Sequence, residues 1–224
     1  MEKITKPTSK KKMIDDLFIV SKYMDHVLNT SEEPKSVSIF CKEYKISEVD
    51  FYTFFGSLDA LRQEIWLKFF ENAIETIEKE EVYNTYSNKN KLLTLYFTLF
   101  ELFALNRSYI LFSLKENKQG LKNLKSLTLF RSYFKTHITN ILNNENSEIL
   151  KKAGTLVNPI LSEGVWIQFL AVLKFWLEDT SKGFESTDIF IEKSINTISD
   201  FLETKQLENL LDLCKFLWKE RMKE

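Results

Sequence analysis

Five glycines and three prolines are all that 224 residues of this chain contain. Average usage of the two together is roughly 12%, so the chain has far fewer tight turns than a β-sandwich or a doubly wound sheet requires. Its apolar residues recur at helical spacing instead. Ile14, Leu17, Phe18, Met24 and Leu28 form one stripe, widened by Val20, Tyr23 and Val27. The expected fold class is all-α, and 44% hydrophobic residues are enough to bury one large core or two small ones.

Residues 1–12 hold five lysines (Lys3, Lys6, Lys10, Lys11, Lys12) and no periodicity, which predicts a disordered basic arm. A first helix runs from Met13 and stops ahead of Pro34. Two short helical segments follow, 36–43 and 47–53, separated by Tyr44-Lys45-Ile46. Isolated helices of this length are unstable, so packing through Val37, Phe40, Cys41, Ile46, Phe51, Phe54 and Phe55 must hold them. Gly56-Ser57 breaks the chain and offers an N-cap, with Asp59 in the first turn of a long helix from Leu58 to about Glu80. Long, short, turn, short, long is a helix-turn-helix layout. Beyond a polar connection over 79–90, helices are expected over 91–105, 106–115, 121–143, 160–178, 188–203 and 205–223. Pro159 suits the start of the fourth of these. The expected organisation is an arm over 1–12, a helix-turn-helix domain over 13–57, a larger helical domain over 58–204 and an extra amphipathic helix over 205–224.

Several functions fall away on the same sequence. The uncharged run 164–173, between Glu163 and Lys174, is half the ~20 residues that a membrane-spanning helix needs, and no apolar signal core follows the N-terminal lysines. No transmembrane segment and a cytoplasmic location are therefore expected. Cys41 and Cys214 have no CxxC spacing, which fits a reduced compartment and makes no zinc site. A net charge of −1 gives no bulk attraction to nucleic acid or to an anionic membrane. His26 and His137 are the only histidines, and the sequence has no HExxH, no Gly-rich phosphate loop and no G-x-S-x-G elbow. No enzyme activity, catalytic residue, metal or cofactor is predicted.

Residues 37–61 carry a recognisable pattern: Phe40-Cys41, then Lys45-Ile46-Ser47, then Phe51-Tyr52-Thr53-Phe54-Phe55, then Gly56-Ser57-Leu58 and Leu61. This stretch resembles the DNA-binding half of the TetR family of transcriptional regulators, and Tyr52-x-x-Phe55-Gly56-Ser57 ahead of a long helix is its best-preserved piece. The resemblance implies operator DNA as a partner, with Lys45, Ser47, Tyr52 and Ser57 at the DNA. Thr53 can also bond phosphate, and Glu48 or Asp50 can accept from cytosine N4. Lys10, Lys11 and Lys12 would enter the minor groove as an arm, or simply solubilise the chain. Three features depart from the family's pattern. Lys45 replaces the turn glycine, so an unchanged turn requires it in a left-handed conformation costing roughly 1 kcal/mol. Leu58 replaces a lysine. The segment 47–53 has two acids and no Arg or Lys, and across 31–61 three lysines face six acids, which weakens attraction to phosphate.

The resemblance further implies that the C-terminal helices enclose a pocket for a small apolar or lipid-like effector, and that the last two helices of that domain pair in a homodimer. The matching segments are Ile160–Glu178 and 188–203, from Asp188 to Glu203. Val165, Trp166, Phe169, Val172, Leu173 and Trp176 cover most of the first of them, which must be buried on several sides. Phe97, Phe100 and Trp166, with Glu101, His137 and Gln168 interrupting apolar stretches, are the pocket candidates; the alternative is that all six are core or surface residues. In the terminal helix, Leu207, Leu210, Leu211, Cys214, Leu217 and Trp218 make a stripe, with Leu213 and Phe216 off it. It docks on its own domain, a partner or a membrane. The overall pattern is also similar to TetR-fold coenzyme-Q biosynthesis accessory proteins, which bind lipid and are not repressors. Two readings result: a ligand-responsive DNA-binding regulator, or a lipid-binding adaptor of the same fold.

Overall fold

The computed structural model describes residues 14–115, 124–143 and 158–202, together with Asn209, Leu213 and Phe216. These residues form nine α-helices and three short 3-10 turns, and no strand occurs among them. The helices are α1 (Asp16–Thr30), α2 (Val37–Tyr44), α3 (Glu48–Phe54), α4 (Leu58–Glu78), α5 (Asn88–Leu105), α6 (Arg107–Lys115), α7 (Thr128–Asn143), α8 (Asn158–Glu178) and α9 (Glu185–Leu202). Two compact units result, Met1–Arg62 and Gln63–Glu224. The first turn of α4 therefore belongs with the helix-turn-helix.

Serine and aspartate caps set most helix starts. Asp15 accepts from Phe18 N, Ser36 from Ile39 N, Ser47 from Asp50 N, Ser57 from Ala60 N and Ser87 from Asn90 N. These caps explain two shifts from expectation. Helix α1 begins after Asp15 instead of at Met13, and α5 begins at Asn88 because Ser87 caps it. The polar connection contains a 3-10 turn, Glu81–Thr85, pinned by buried Tyr83. The expected helix over 121–143 is also divided: Leu124–Leu127 is a 3-10 turn with Leu127 fully buried, and the Thr128 hydroxyl donates to the Lys125 carbonyl at 2.8 Å where α7 begins. The basic arm and most of the terminal helix, including its apolar stripe, lie outside the described residues. Asn209, Leu213 and Phe216 are helical.

In the first unit, Ile19, Tyr23, Val27, Phe40, Cys41, Ile46, Phe51, Phe55 and Leu61 make the core. Phe40 sits at its centre, with ring centroids 6.2 Å from both Tyr23 and Phe51. His26 Nδ1 lies 3.2 Å from the Glu43 carboxylate and 3.3 Å from the Tyr44 hydroxyl, tying α1 to α2. Arg62 pairs with Glu33 and Asp59.

In the second unit, α7 packs on α8, and α9 packs on α5 and α8. Phe169 of α8 is fully buried, and its ring lies within 6.5 Å of six others: Tyr96, Phe100, Phe103, Phe130, Phe134 and Trp166. Polar ties cross the same helices. Tyr96 donates to Gln168 Oε1, and Gln168 Nε2 donates to Ser194 Oγ at 2.7 Å, which links α5, α8 and α9. Arg131 and Lys135 of α7 both reach Glu163 of α8 at 2.6 Å. Lys135 most of all, with Arg131 beside it, holds the Glu163 carboxyl below its ordinary range.

The α8–α9 connection is fixed by Asp179. One carboxylate oxygen accepts from Ser181 N at 2.8 Å; the other accepts from Thr187 N at 3.0 Å and Thr187 Oγ1 at 2.6 Å. These contacts cap the start of α9 three residues before Asp188, where the expected segment begins. Burial works against the Asp179 charge, but the donors from Thr187 and Ser181 outweigh it and bring the carboxyl down from 3.8 to about 2. A carboxylate with a depressed folded-state pKa stabilises fully above its unfolded value and loses that contribution as pH falls. Thermal unfolding should therefore show a loss of stability between about pH 4 and about pH 2. Asp179→Asn, less stable at neutral pH, should lose less over that window.

Candidate functional site

Two regions emerge: the outer surface of α2 and α3, and the aromatic interior of the second unit. In the first, Lys45 adopts the left-handed conformation at φ 56° and ψ 39°, as the expected turn requires. Its N–H and that of Ile46 close the end of α2 onto the carbonyls of Lys42 and Cys41, at 3.5 and 2.9 Å. A Cβ at this geometry costs about 1 kcal/mol, which glycine avoids. Because the Lys45 side chain is exposed and makes no ion pair among the described residues, Lys45→Gly should raise stability by up to about 1 kcal/mol. Urea unfolding checks this.

Ser47 and Ser57 use their hydroxyl oxygens as caps, accepting from Asp50 N and Ala60 N at 3.0 Å, so each retains its O–H as a donor. Tyr52 is 51% exposed with its ring edge on Phe51. Thus Lys45, Ser47 and Tyr52 share the α2–α3 surface, and Ser57 stands at the head of α4. Lys10, Lys11 and Lys12 lie outside the described residues. Lys22 pairs with Asp25 and Arg62 with acids, whereas Lys35, Lys42 and Lys45 are exposed and make no ion pair among the described residues.

The second region gathers part of the expected pocket set. Phe100 and Trp166 are buried, with rings 6.0 and 5.4 Å from Phe169. His137 packs on Phe70 at 5.9 Å. Phe97 is half-buried. Gln168 is engaged at both ends of its amide, by Tyr96 at Oε1 and by Ser194 at Nε2, so its amide works as a tie between helices. Glu101 does not join the aromatic interior: it is exposed, and its charge, after burial, raises the Asp188 carboxyl of α9. Among the described residues, six buried polar atoms have no hydrogen-bond partner: Trp66 Nε1, Tyr83 Oη, Asn88 Nδ2, His137 Nε2, Trp176 Nε1 and Asn196 Oδ1. Burial, then the Lys91 charge, lowers the His137 pKa, which favours neutral imidazole. Trp66 went unnoticed in the sequence because one tryptophan on a long amphipathic helix gives no hint that its N–H is orphaned.

A separate groove of about 520 Å³ runs along the other side of α7, lined by Leu124, Thr128, Arg131, Ser132, Lys135 and Thr136. It contains none of the expected pocket residues. The i, i+4 spacings of its cations and hydroxyls were legible, but the pairing of both cations with Glu163 was not. On α8 and α9, Ile160, Ile167, Phe175 and Ile189 are exposed, and Phe175 meets Phe190 at 5.0 Å. By length and hydropathy, Ile160–Glu178 qualifies as a membrane-crossing helix, the only such helix among the described residues. The ten-residue uncharged run understated it because only Glu163, Lys174 and Glu178 interrupt the apolar sequence. Its Val165–Trp176 face is buried in the core, which accounts for its composition. Among the described residues, no three His, Cys, Asp or Glu side chains come together to hold a metal ion.

A family model described as the tetracyclin repressor-like C-terminal domain matches residues 91–217. No curated protein matches the chain.

Proposed function

The chain belongs to the tetracyclin repressor-like (TetR) family, and from that premise we propose that it is a dimeric regulator that binds operator DNA and releases it when an apolar effector enters the second unit. The observation that carries this reading is the α2–α3 turn: Lys45 holds a left-handed backbone there, and Val49, Tyr52 and Thr53 on the outer side of α3 are exposed. Lys45, Tyr52 and the free O–H donors of Ser47 and Ser57 would meet phosphates, with Lys10, Lys11 and Lys12 adding charge. The effector would lie among Phe97, Phe100, Trp166 and His137, where the orphaned Trp66 N–H and His137 Nε2 offer polar anchors in an apolar interior. An effector that binds better to one arrangement of the dimer shifts the population away from the DNA-binding arrangement. The exposed isoleucines of α8 and α9 suit a dimer contact.

Selection from genomic fragments by the full-length protein at low salt should return a palindromic site. Three unpaired lysines per reading head are few, so the affinity of a chain lacking residues 1–12 should fall with salt on a log–log slope no steeper than about −5. Failure to enrich any sequence would sink the DNA reading. The second reading, a lipid-binding adaptor, draws on the exposed Leu213 and Phe216 of the terminal segment. It requires co-purifying lipid by mass spectrometry and weaker liposome partitioning once 205–224 is deleted.

A further inference from the structure

The outward face of α3 has methyl groups at its centre. Phe51 turns wholly into the core, so at about 100° per residue Val49 and Thr53, one turn apart, stand on the opposite side. Val49 is 77% exposed, more than any other large apolar residue described in the first unit. The Thr53 hydroxyl donates back to the Val49 carbonyl at 2.9 Å, so its polar atom is occupied within the helix and its methyl is the group left to present. Asp50 lies on one flank, its N–H held by Ser47 Oγ at 3.0 Å and its carboxylate in no ion pair among the described residues. Glu48 lies elsewhere, on the Cys41 side: burial, and then the Glu48 charge, pushes the Cys41 thiol up. The helix has no arginine or lysine.

We propose that this face reads pyrimidine edges in the major groove of operator DNA: Val49 and Thr53 pack on thymine C5-methyl groups, and Asp50 accepts from the N4 amino group of cytosine. The inference rests on the operator reading above and specifies its chemistry. In the major groove a methyl group is found only on thymine. Cytosine N4 is a donor, guanine presents only the lone pairs of N7 and O6, and the adenine N6 donor stands beside the N7 lone pair, which a carboxylate repels. Duplex DNA is the occupant that also explains the unpaired Lys35, Lys42 and Lys45 on α2 and its flanking turns, which complement phosphate while α3 supplies base contacts. A head with so little positive charge must draw more of its affinity from the bases.

The test uses the full-length protein and the operator recovered by selection, with binding followed by fluorescence anisotropy. Replacing thymine by uracil removes only the methyl group and should weaken binding about four-fold per contacted position. Val49→Ala should shrink that penalty. Asp50→Asn should move the preference at one position from cytosine towards adenine, whose N7 and N6 suit an amide. Both side chains lie outside the core, and circular dichroism melting confirms that each variant folds. A recovered operator that binds equally well with uracil, or whose preferences Asp50→Asn leaves unchanged, overturns the inference and leaves operator binding intact. Recovery of no operator overturns both.

Discussion

Phe169→Ala should lower the unfolding free energy by about 4 kcal/mol, within the 3–5 kcal/mol typical of emptying a buried aromatic position. The residue has no exposed surface and touches rings from α5, α7 and α8 itself. Six ring neighbours from interlocked helices cannot all move inward to fill the space, so most of the void persists. A domain is held by only about 5–15 kcal/mol in total. The variant should therefore unfold at much lower urea concentration, and binding of any effector should fail with it. Phe175→Ala on the same helix is the control. Its side chain is 41% exposed and among the described residues meets no ring but Phe190, and a cost below about 1 kcal/mol is expected in the monomer.

Arg107→Ala should cost about 3 kcal/mol. The guanidinium lies between the Trp176 and Phe184 rings, 4.4 and 4.5 Å from their centroids. Its N–H groups donate to the carbonyls of Trp176, Leu177 and Asp179 at 3.1–3.3 Å. One side chain thus satisfies the open carbonyl end of α8 and places a positive charge at the negative pole of that helix. It also braces a turn in which Gly183 and Phe184 both have φ of 63°, a conformation that phenylalanine adopts only when its surroundings hold it. Removal leaves three carbonyls without this donor and a strained Phe184 without its stack; charged hydrogen bonds of roughly 1.5–3 kcal/mol and two cation–π contacts set the scale. Arg107→Lys keeps the charge but not the planar fork, and should recover less than half of the loss. Urea unfolding of the three proteins separates these contributions.

Much of the first unit was legible because its signals are local. Pro34, Ser36, Ser47 and Ser57 act on backbone groups within three residues of themselves, so caps and breaks appear in the sequence at nearly the positions where the helices begin and end. The strain at Lys45 followed from the family's turn and was found there. The division of the expected helix over 121–143 was not legible, because the burial of Leu127 decides it and burial belongs to partners distant in sequence. The start of α9 at Glu185 likewise depends on Asp179 reaching eight residues ahead to Thr187.

The pocket candidates show the same divide. Phe100 and Trp166 sit in the interior because large apolar side chains have no better place, whereas Glu101 and Gln168 interrupt apolar sequence in the same way and came to opposite ends: one exposed, the other locked between Tyr96 and Ser194. The sequence by itself determined the helical class, the helix-turn-helix and the family resemblance, all of which arise from scarce turn residues, periodicity and caps acting over a few residues. Only the tertiary structure decided which polar groups are satisfied. It left Trp66 Nε1 and His137 Nε2 without partners, turned the Thr53 hydroxyl back onto its own helix, and gave Arg107 the end of α8, because a hydrogen bond depends on distances of a few tenths of an ångström between residues that the chain brings together only by folding.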